Sequence, residues 1–140
     1  MGMTMGDPTI PRRSTKTVLI IDDSQVVREQ VAATLRAASY EVVEACNGVE
    51  GLARVKDVPG LALAICDINM PELGGIEVLE RLTAQGLLSF PFVVLSSEGQ
   101  PDLVGRARAL GAKGWMMKPV LPASLLAVVN KLTGTPATTK

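Results

Sequence analysis

A chain of 140 residues, 47% of them hydrophobic, suits one domain with one core, and with 3% aromatics that core must be packed with Val, Leu, Ile and Ala. Fourteen basic and fourteen acidic side chains cancel, which excludes the overall basic excess that direct nucleic-acid or anionic-membrane partners demand. There is no histidine, so Ser-His and Cys-His catalysis, His-ligated zinc and a self-supplied phosphohistidine are excluded, and any chemistry must run on carboxylates, hydroxyls and amines.

The first sixteen residues, Met1 to Lys16, hold Pro8, Pro11, Arg12 and Arg13 but no apolar h-region, so they read as a flexible tail and not a secretory signal. Gly134 to Lys140 reads as a second tail, leaving 17–133 as the folded domain. No aliphatic run approaches the roughly 20 residues of a membrane span, so no membrane insertion and a cytoplasmic location are expected. Cys46 and Cys66 are then expected to be reduced and structural.

Val18 to Ile21 is short and uniformly apolar, the mark of a buried strand. Asp22-Asp23 follow, Ser24 is a good helix N-cap, and Val27, Val31 and Leu35 recur along one helical face. Glu41 to Ala45 predicts a second strand, Asn47-Gly48 a turn, and Val49 to Val55 a short helix. Leu61 to Cys66 predicts a third strand ending at Asp67. Pro71 and the pair Gly74-Gly75 predict a loop, with the glycines serving a positive φ. Ile76, Leu79 and Leu82 then mark a helix. Phe92 to Leu95 predicts the fourth strand, Asp102 to Leu110 a helix closed by Gly111, and Gly114 to Met117 the fifth strand. Pro122 opens a last helix whose apolar face is Leu125, Val128, Val129 and Leu132. Five alternations of strand and helix predict a doubly wound α/β fold: a five-stranded parallel sheet in a three-layer α/β/α sandwich.

In such folds the active crevice lies beyond the C-terminal ends of the strands. Asp22 and Asp23 end the first strand, Asp67 the third, Ser96 the fourth and Lys118 the fifth, so all five are expected at one edge. Three converging carboxylates repel and raise one another's pKa unless a cation intervenes. A divalent metal resolves the conflict, and so sparse an oxygen set favours Mg²⁺ with retained waters over a full Ca²⁺ cage.

Asp22-Asp23-Ser24 after an aliphatic strand, Asp67-Ile68-Asn69-Met70-Pro71 with Gly75-Ile76-Glu77, Leu95-Ser96-Ser97, and Lys118-Pro119 together resemble the response-regulator receiver family of bacterial two-component signalling. The likeness runs from about Thr17 to Leu132. It implies a flavodoxin-like fold and a phosphoacceptor switch rather than an enzyme acting on other substrates. Asp67 would accept the phosphoryl group from a histidine kinase, a histidine phosphotransfer protein or a small acyl phosphate. Asp22, Asp23, Asp67 and the Asn69 carbonyl would hold Mg²⁺, Lys118 would neutralise the incoming group, and Ser96 would hydrogen-bond it. Trp115 stands where the family carries an aromatic switch; packing is the equal alternative. The surface from Asp102 to Leu132 would contact a downstream target, or the chain would pass phosphate onward as a relay intermediate.

The chain departs from the family pattern in a few places. Ser96 replaces a commoner Thr, Gly74 stands where Asp or Asn is frequent, Ser97 replaces Ala, and Glu98 offers an acid that can influence the dephosphorylating water. Two other classes fit less well. A haloacid-dehalogenase phosphatase needs a second Asp where Asn69 stands, and a flavodoxin-type phosphate loop has no use for Asp22 and Asp23. A receiver that serves only as a phosphate-independent interaction module is the closer rival, and the intact acidic cluster argues against it.

Overall fold

The computed structural model describes residues 16–97 and 100–135. Five strands alternate with five helices: β1 Thr17–Ile21, α1 Gln25–Ala37, β2 Glu41–Ala45, α2 Gly48–Asp57, β3 Leu63–Asp67, α3 Gly75–Ala84, β4 Phe92–Ser96, α4 Pro101–Ala109, β5 Gly114–Met117 and α5 Pro122–Thr133. All four strand pairings are parallel, in the order β2-β1-β3-β4-β5. This is the five-stranded parallel, flavodoxin-like fold expected from the sequence. No helix among the described residues is long and apolar enough to cross a membrane.

Successive strand residues face opposite sides of the sheet, and both sides are apolar, because helices cover both. Leu19, Ile21, Ala64, Cys66, Phe92 and Val94 form one core with α2, α3 and α4. Val18, Ile20, Leu63, Ile65, Val93 and Leu95 form the other with α1 and α5, through Val31, Leu35, Leu125 and Val129. Each fully buried Leu or Ile contributes about 1.5–3 kcal/mol relative to exposure, and only aliphatic side chains do most of this packing.

The local signals were met with instructive exceptions. Ser24 caps α1, its Oγ accepting the Val27 N–H at 3.3 Å. Asn47-Gly48 is not a turn. Asn47 caps α2, its Oδ1 accepting the Glu50 N–H at 2.7 Å, and Gly48 already belongs to the helix. The third strand begins at Leu63, where its register with Val18 begins, rather than at Leu61. Cys46 is exposed and therefore not a packing residue, whereas Cys66 lies in the core; both are free thiols.

The expectation of a positive φ at Gly74-Gly75 is wrong. Gly74 is the N-cap of α3 at φ −86°, and neither glycine is left-handed. Their reason is contact: a Cβ on Gly74 would lie 2.5 Å from the Ile68 carbonyl oxygen, and one on Gly75 would lie 2.9 Å from that of Asp67. The start of α3 is thus pressed against the loop that leaves β3.

Gly105, inside α4, has open space where a Cβ would go. Gly105→Ala should stabilise the protein by about 0.5–1 kcal/mol through helix propensity. Gly74→Ala should destabilise it by about 1–3 kcal/mol through overpacking against backbone. Urea unfolding of the two variants checks both signs.

Candidate functional site

The chain turns outward from β1 to β2 on one side of the sheet and to β3 on the other, so the crevice opens at the C-terminal ends of β1 and β3. The residues placed there are Asp22, Asp23 and Asp67. One carboxylate oxygen from each lies within 4.8 Å of the others.

Backbone geometry sets each of them. The Asp22 N–H donates to the Ala45 carbonyl at 3.1 Å, carrying the β1–β2 ladder one residue past the strand. Asp22 Oδ1 accepts the Ser24 N–H at 2.8 Å, so the turn into α1 and the orientation of the carboxylate are one feature. Asp67 is the last residue of β3, and the Ile68 N–H continues the ladder onto Leu95 at 2.8 Å. Asp67 Oδ1 accepts the Asn69 N–H at 2.9 Å. The loop beyond is anchored by the buried side chains of Ile68, Met70 and Leu73.

Lys118 follows β5, held by its N–H on the Ser96 carbonyl at 2.9 Å. Its Nζ lies 2.9 Å from Asp22 Oδ2 and 2.9 Å from Asp67 Oδ2, bridging the two carboxylates. The contact to Asp67 is a hydrogen bond, whereas that to Asp22 is an ion pair that leaves Oδ2 without a hydrogen bond. A buried carboxylate oxygen with ion-pair but no hydrogen-bond satisfaction has capacity for another electropositive partner.

Burial, the largest cause, pushes the Asp22 carboxyl above its usual range, and the neighbouring Asp67 charge adds to it against the Ser24 hydrogen bond and the Lys118 ammonium. For Lys118 burial works against the ammonium, yet the Asp67 hydrogen bond and the ion pairs with Asp67 and Asp22 outweigh it and raise its pKa above the lysine value. The expected rise from crowded carboxylates therefore appears at Asp22, with desolvation ahead of repulsion. An all-oxygen, three-carboxylate set at the mouth of a crevice suits a hard divalent cation. Asp22, Asp23 and Asp67 are the residues that can hold one.

Ser96 ends β4 and is buried beside this edge. Asn69 is exposed at the rim, its Oδ1 accepting from Gln100 Nε2 at 2.9 Å, while Gln100 Oε1 accepts the Ser97 N–H at 3.2 Å. Trp115 is set apart on β5, 45% exposed, with the Arg108 guanidinium carbon 4.8 Å from its ring centroid. Glu98 lies outside the described residues. Two residues went unnoticed in the sequence. Gln100 ties the loops after β3 and β4. Arg28 donates from Nη1 to the Asp22 carbonyl at 2.7 Å. Arg28 occurs four residues after the Ser24 cap on an ordinary amphipathic helix, and nothing in that pattern marks it.

Comparison with known proteins assigns this α/β sandwich, with its acidic cluster and bridging lysine, to a signalling family. The family model described as the response regulator receiver domain matches residues 18–130. The chain belongs to the response regulator receiver family. It is 36% identical over 116 residues to the chemotaxis protein CheY of Treponema pallidum, covering 79% of this chain and 77% of that one. It is 36% identical over 131 residues to the transcriptional regulatory protein PdtaR of Mycobacterium tuberculosis, covering 89% of this chain but 60% of that one. It is 31% identical to the rice two-component response regulator ORR7, of whose length it spans 55%. Among solved structures, chemotaxis protein CheY4 of Vibrio cholerae superposes with a TM-score of 0.79 at 34% identity, covering 85% of this chain and 99% of that one.

The buried Asp22 carboxyl has a testable consequence. A raised folded-state pKa means that the ionised form is disfavoured by folding, so the cost is present at neutral pH and disappears as pH falls through that folded pKa. Asp22→Asn, measured without divalent cations, should be more stable than wild type at pH 7, and the difference should shrink as pH is lowered. Urea melts at a series of pH values check this; a stability gap that widens on acidification would contradict the assignment.

Proposed function

We propose that this protein works as a response-regulator receiver that accepts a phosphoryl group on Asp67 in a Mg²⁺-dependent reaction and signals through protein contacts. The observation that carries the proposal is the position of Asp67. It is buried at the end of β3, hydrogen-bonded to Lys118 at 2.9 Å, and clustered with Asp22 and Asp23.

Phosphoryl transfer asks a protein mainly for positioning and charge neutralisation. An Asp67 carboxylate oxygen attacks phosphorus, and the bond to the donor breaks with its electron pair leaving on the donor. The donor is a histidine kinase, a histidine phosphotransfer protein or a small acyl phosphate. Asp67 Oδ1 is oriented by the Asn69 N–H, which leaves Oδ2 on the Lys118 side of the crevice. The Lys118 ammonium remains protonated, because its pKa is raised, and moves its charge onto the phosphoryl oxygens. The Ser96 hydroxyl, at the end of the adjacent strand, donates to the same group. Asp22, Asp23, Asp67 and the Asn69 carbonyl would hold Mg²⁺, which when bound neutralises phosphoryl charge. Phosphorylation replaces one carboxylate charge by about two. The chain's own chemistry ends there, with phosphorylation from a donor and loss of the group to water. A role as a phosphorelay intermediate uses the same chemistry in reverse.

The output surface is the face of α4, β5 and α5, from Asp102 to Leu132, where Trp115, Met117 and Leu121 are exposed. A cleft of about 370 Å³ runs between α4 and β5 from Trp115 to Ser96, with Val104, Gly105 and Arg108 along it. Movement of Ser96 toward a phosphorylated Asp67 would be felt in this cleft, and Trp115 would turn into it as a population shift. The proposed site of action is the cytoplasm.

Acyl phosphate with Mg²⁺ should add one phosphoryl mass, removable by hydroxylamine, and iodide quenching of Trp115 should fall in the same sample. Asp67→Asn should show neither change. Equal labelling of that variant would displace Asp67 as acceptor, and no labelling of the wild type would leave the chain as a phosphate-independent interaction module.

A further inference from the structure

We infer that Arg28 is a positioning residue for the metal-binding turn, holding the Asp22–Asp23 peptide in the orientation that sends the Asp23 carboxylate into the acidic cluster. The inference rests on the Mg²⁺ reading of that site. Arg28 lies on the first turns of α1 with its side chain only 15% exposed, and it touches two groups. Nη1 donates to the Asp22 carbonyl at 2.7 Å, and Nε donates to Glu44 Oε1 at 3.3 Å.

The Asp22 carbonyl belongs to the peptide that joins Asp22 to Asp23. On the other side of Asp22, its N–H is fixed on the Ala45 carbonyl at 3.1 Å. With its flanking peptides pinned by β2 on one side and by Arg28 on the other, Asp22 has little freedom in φ and ψ. Asp23 is exposed, and one of its carboxylate oxygens lies within 4.8 Å of those of buried Asp22 and Asp67. Its approach to them therefore depends on the direction of the chain that carries it. Groups that orient metal ligands in this way typically account for about 10–100-fold in affinity.

A guanidinium this close to a cation site would repel the cation if its charge were free. Glu44 answers that charge: it lies on β2 beside Arg28 and also faces Arg36 at 3.8 Å. Arg28 thus serves the turn as a two-armed donor whose charge Glu44 offsets in part. Lysine has no fork and cannot span both partners in the same geometry.

Geometry and charge predict opposite signs, so the experiment is decisive. Mg²⁺ is titrated into the full chain by calorimetry, for wild type, Arg28→Met, Arg28→Lys and the control Arg36→Met, which alters the same network without touching Asp22. In the positioning account Arg28→Met weakens Mg²⁺ binding roughly tenfold or more. Arg28→Lys falls between it and wild type, and Arg36→Met stays within about twofold of wild type. In the metal-free protein, amide exchange at Ser24, which donates to Asp22 Oδ1, should be faster in Arg28→Met. Binding by Arg28→Met as tight as wild type or tighter overturns the inference, as does an equal loss in Arg36→Met. If Arg28→Met does not fold, Arg28→Lys decides, and wild-type affinity there overturns the inference. A wild type that binds no Mg²⁺ removes the metal reading itself, and this inference with it, a result distinct from failure at Arg28 alone.

Discussion

One ammonium lies between two buried carboxylates, and the rest of the site is arranged around that contact. A parallel sheet brings the C-terminal ends of β1 and β3 side by side at the point where the chain reverses its winding. Asp22 and Asp67 end up close together, largely cut off from solvent, and neither can move away without breaking a ladder hydrogen bond. Two like charges in a crevice of low dielectric are costly unless an opposite charge is present. Lys118 supplies it from the end of β5, reaching across β4 to lie 2.9 Å from each. The arrangement is balanced but not saturated, since Asp22 Oδ2 has an ion pair and no hydrogen bond. A site with that residual demand can exchange partners when a more strongly charged group arrives.

The supporting structure keeps those charges where they are. Gly74 and Gly75 let α3 seat against the backbone of Asp67 and Ile68, so the loop after β3 is braced from below. Asn69 and Gln100 link that loop to the one after β4 across the rim. Arg28 and Ala45 hold the turn after β1. The proposed output face is separate: Trp115 projects from β5 toward α4, with Arg108 over its ring, and a cleft runs from it to Ser96. In the proposed mechanism a charge change at Asp67 and a shape change at that face are joined through the end of β4.

Much of this was legible in the sequence for physical reasons. A strand covered on both faces must be apolar throughout, so Val18–Ile21 and Phe92–Leu95 announced themselves, and the first polar residue after each run had to sit at the sheet edge. That rule alone placed Asp22, Asp67, Ser96 and Lys118 together. Helix caps were harder. Asn47-Gly48 serves equally as a turn or as the start of a helix, and only the packing of α2 on the sheet decides. The glycine pair was misread because a close backbone approach and a positive φ select the same residue, and sequence cannot tell a contact from a torsion. Arg28 and Gln100 were invisible because their partners are a backbone carbonyl, a carboxylate on β2, a backbone N–H and a loop amide, which leave no spacing rule behind.

In the proposed mechanism Lys118 and a divalent cation answer the same two carboxylates, so in the unphosphorylated protein they compete rather than cooperate. Titration of Mg²⁺ into Lys118→Ala measures this directly, with far-ultraviolet circular dichroism to establish that the variant is folded. Removing the ammonium leaves Asp22 and Asp67 without their countercharge, and the account predicts Mg²⁺ binding at least as tight as wild type. A clear loss of Mg²⁺ affinity in a folded Lys118→Ala protein would contradict it.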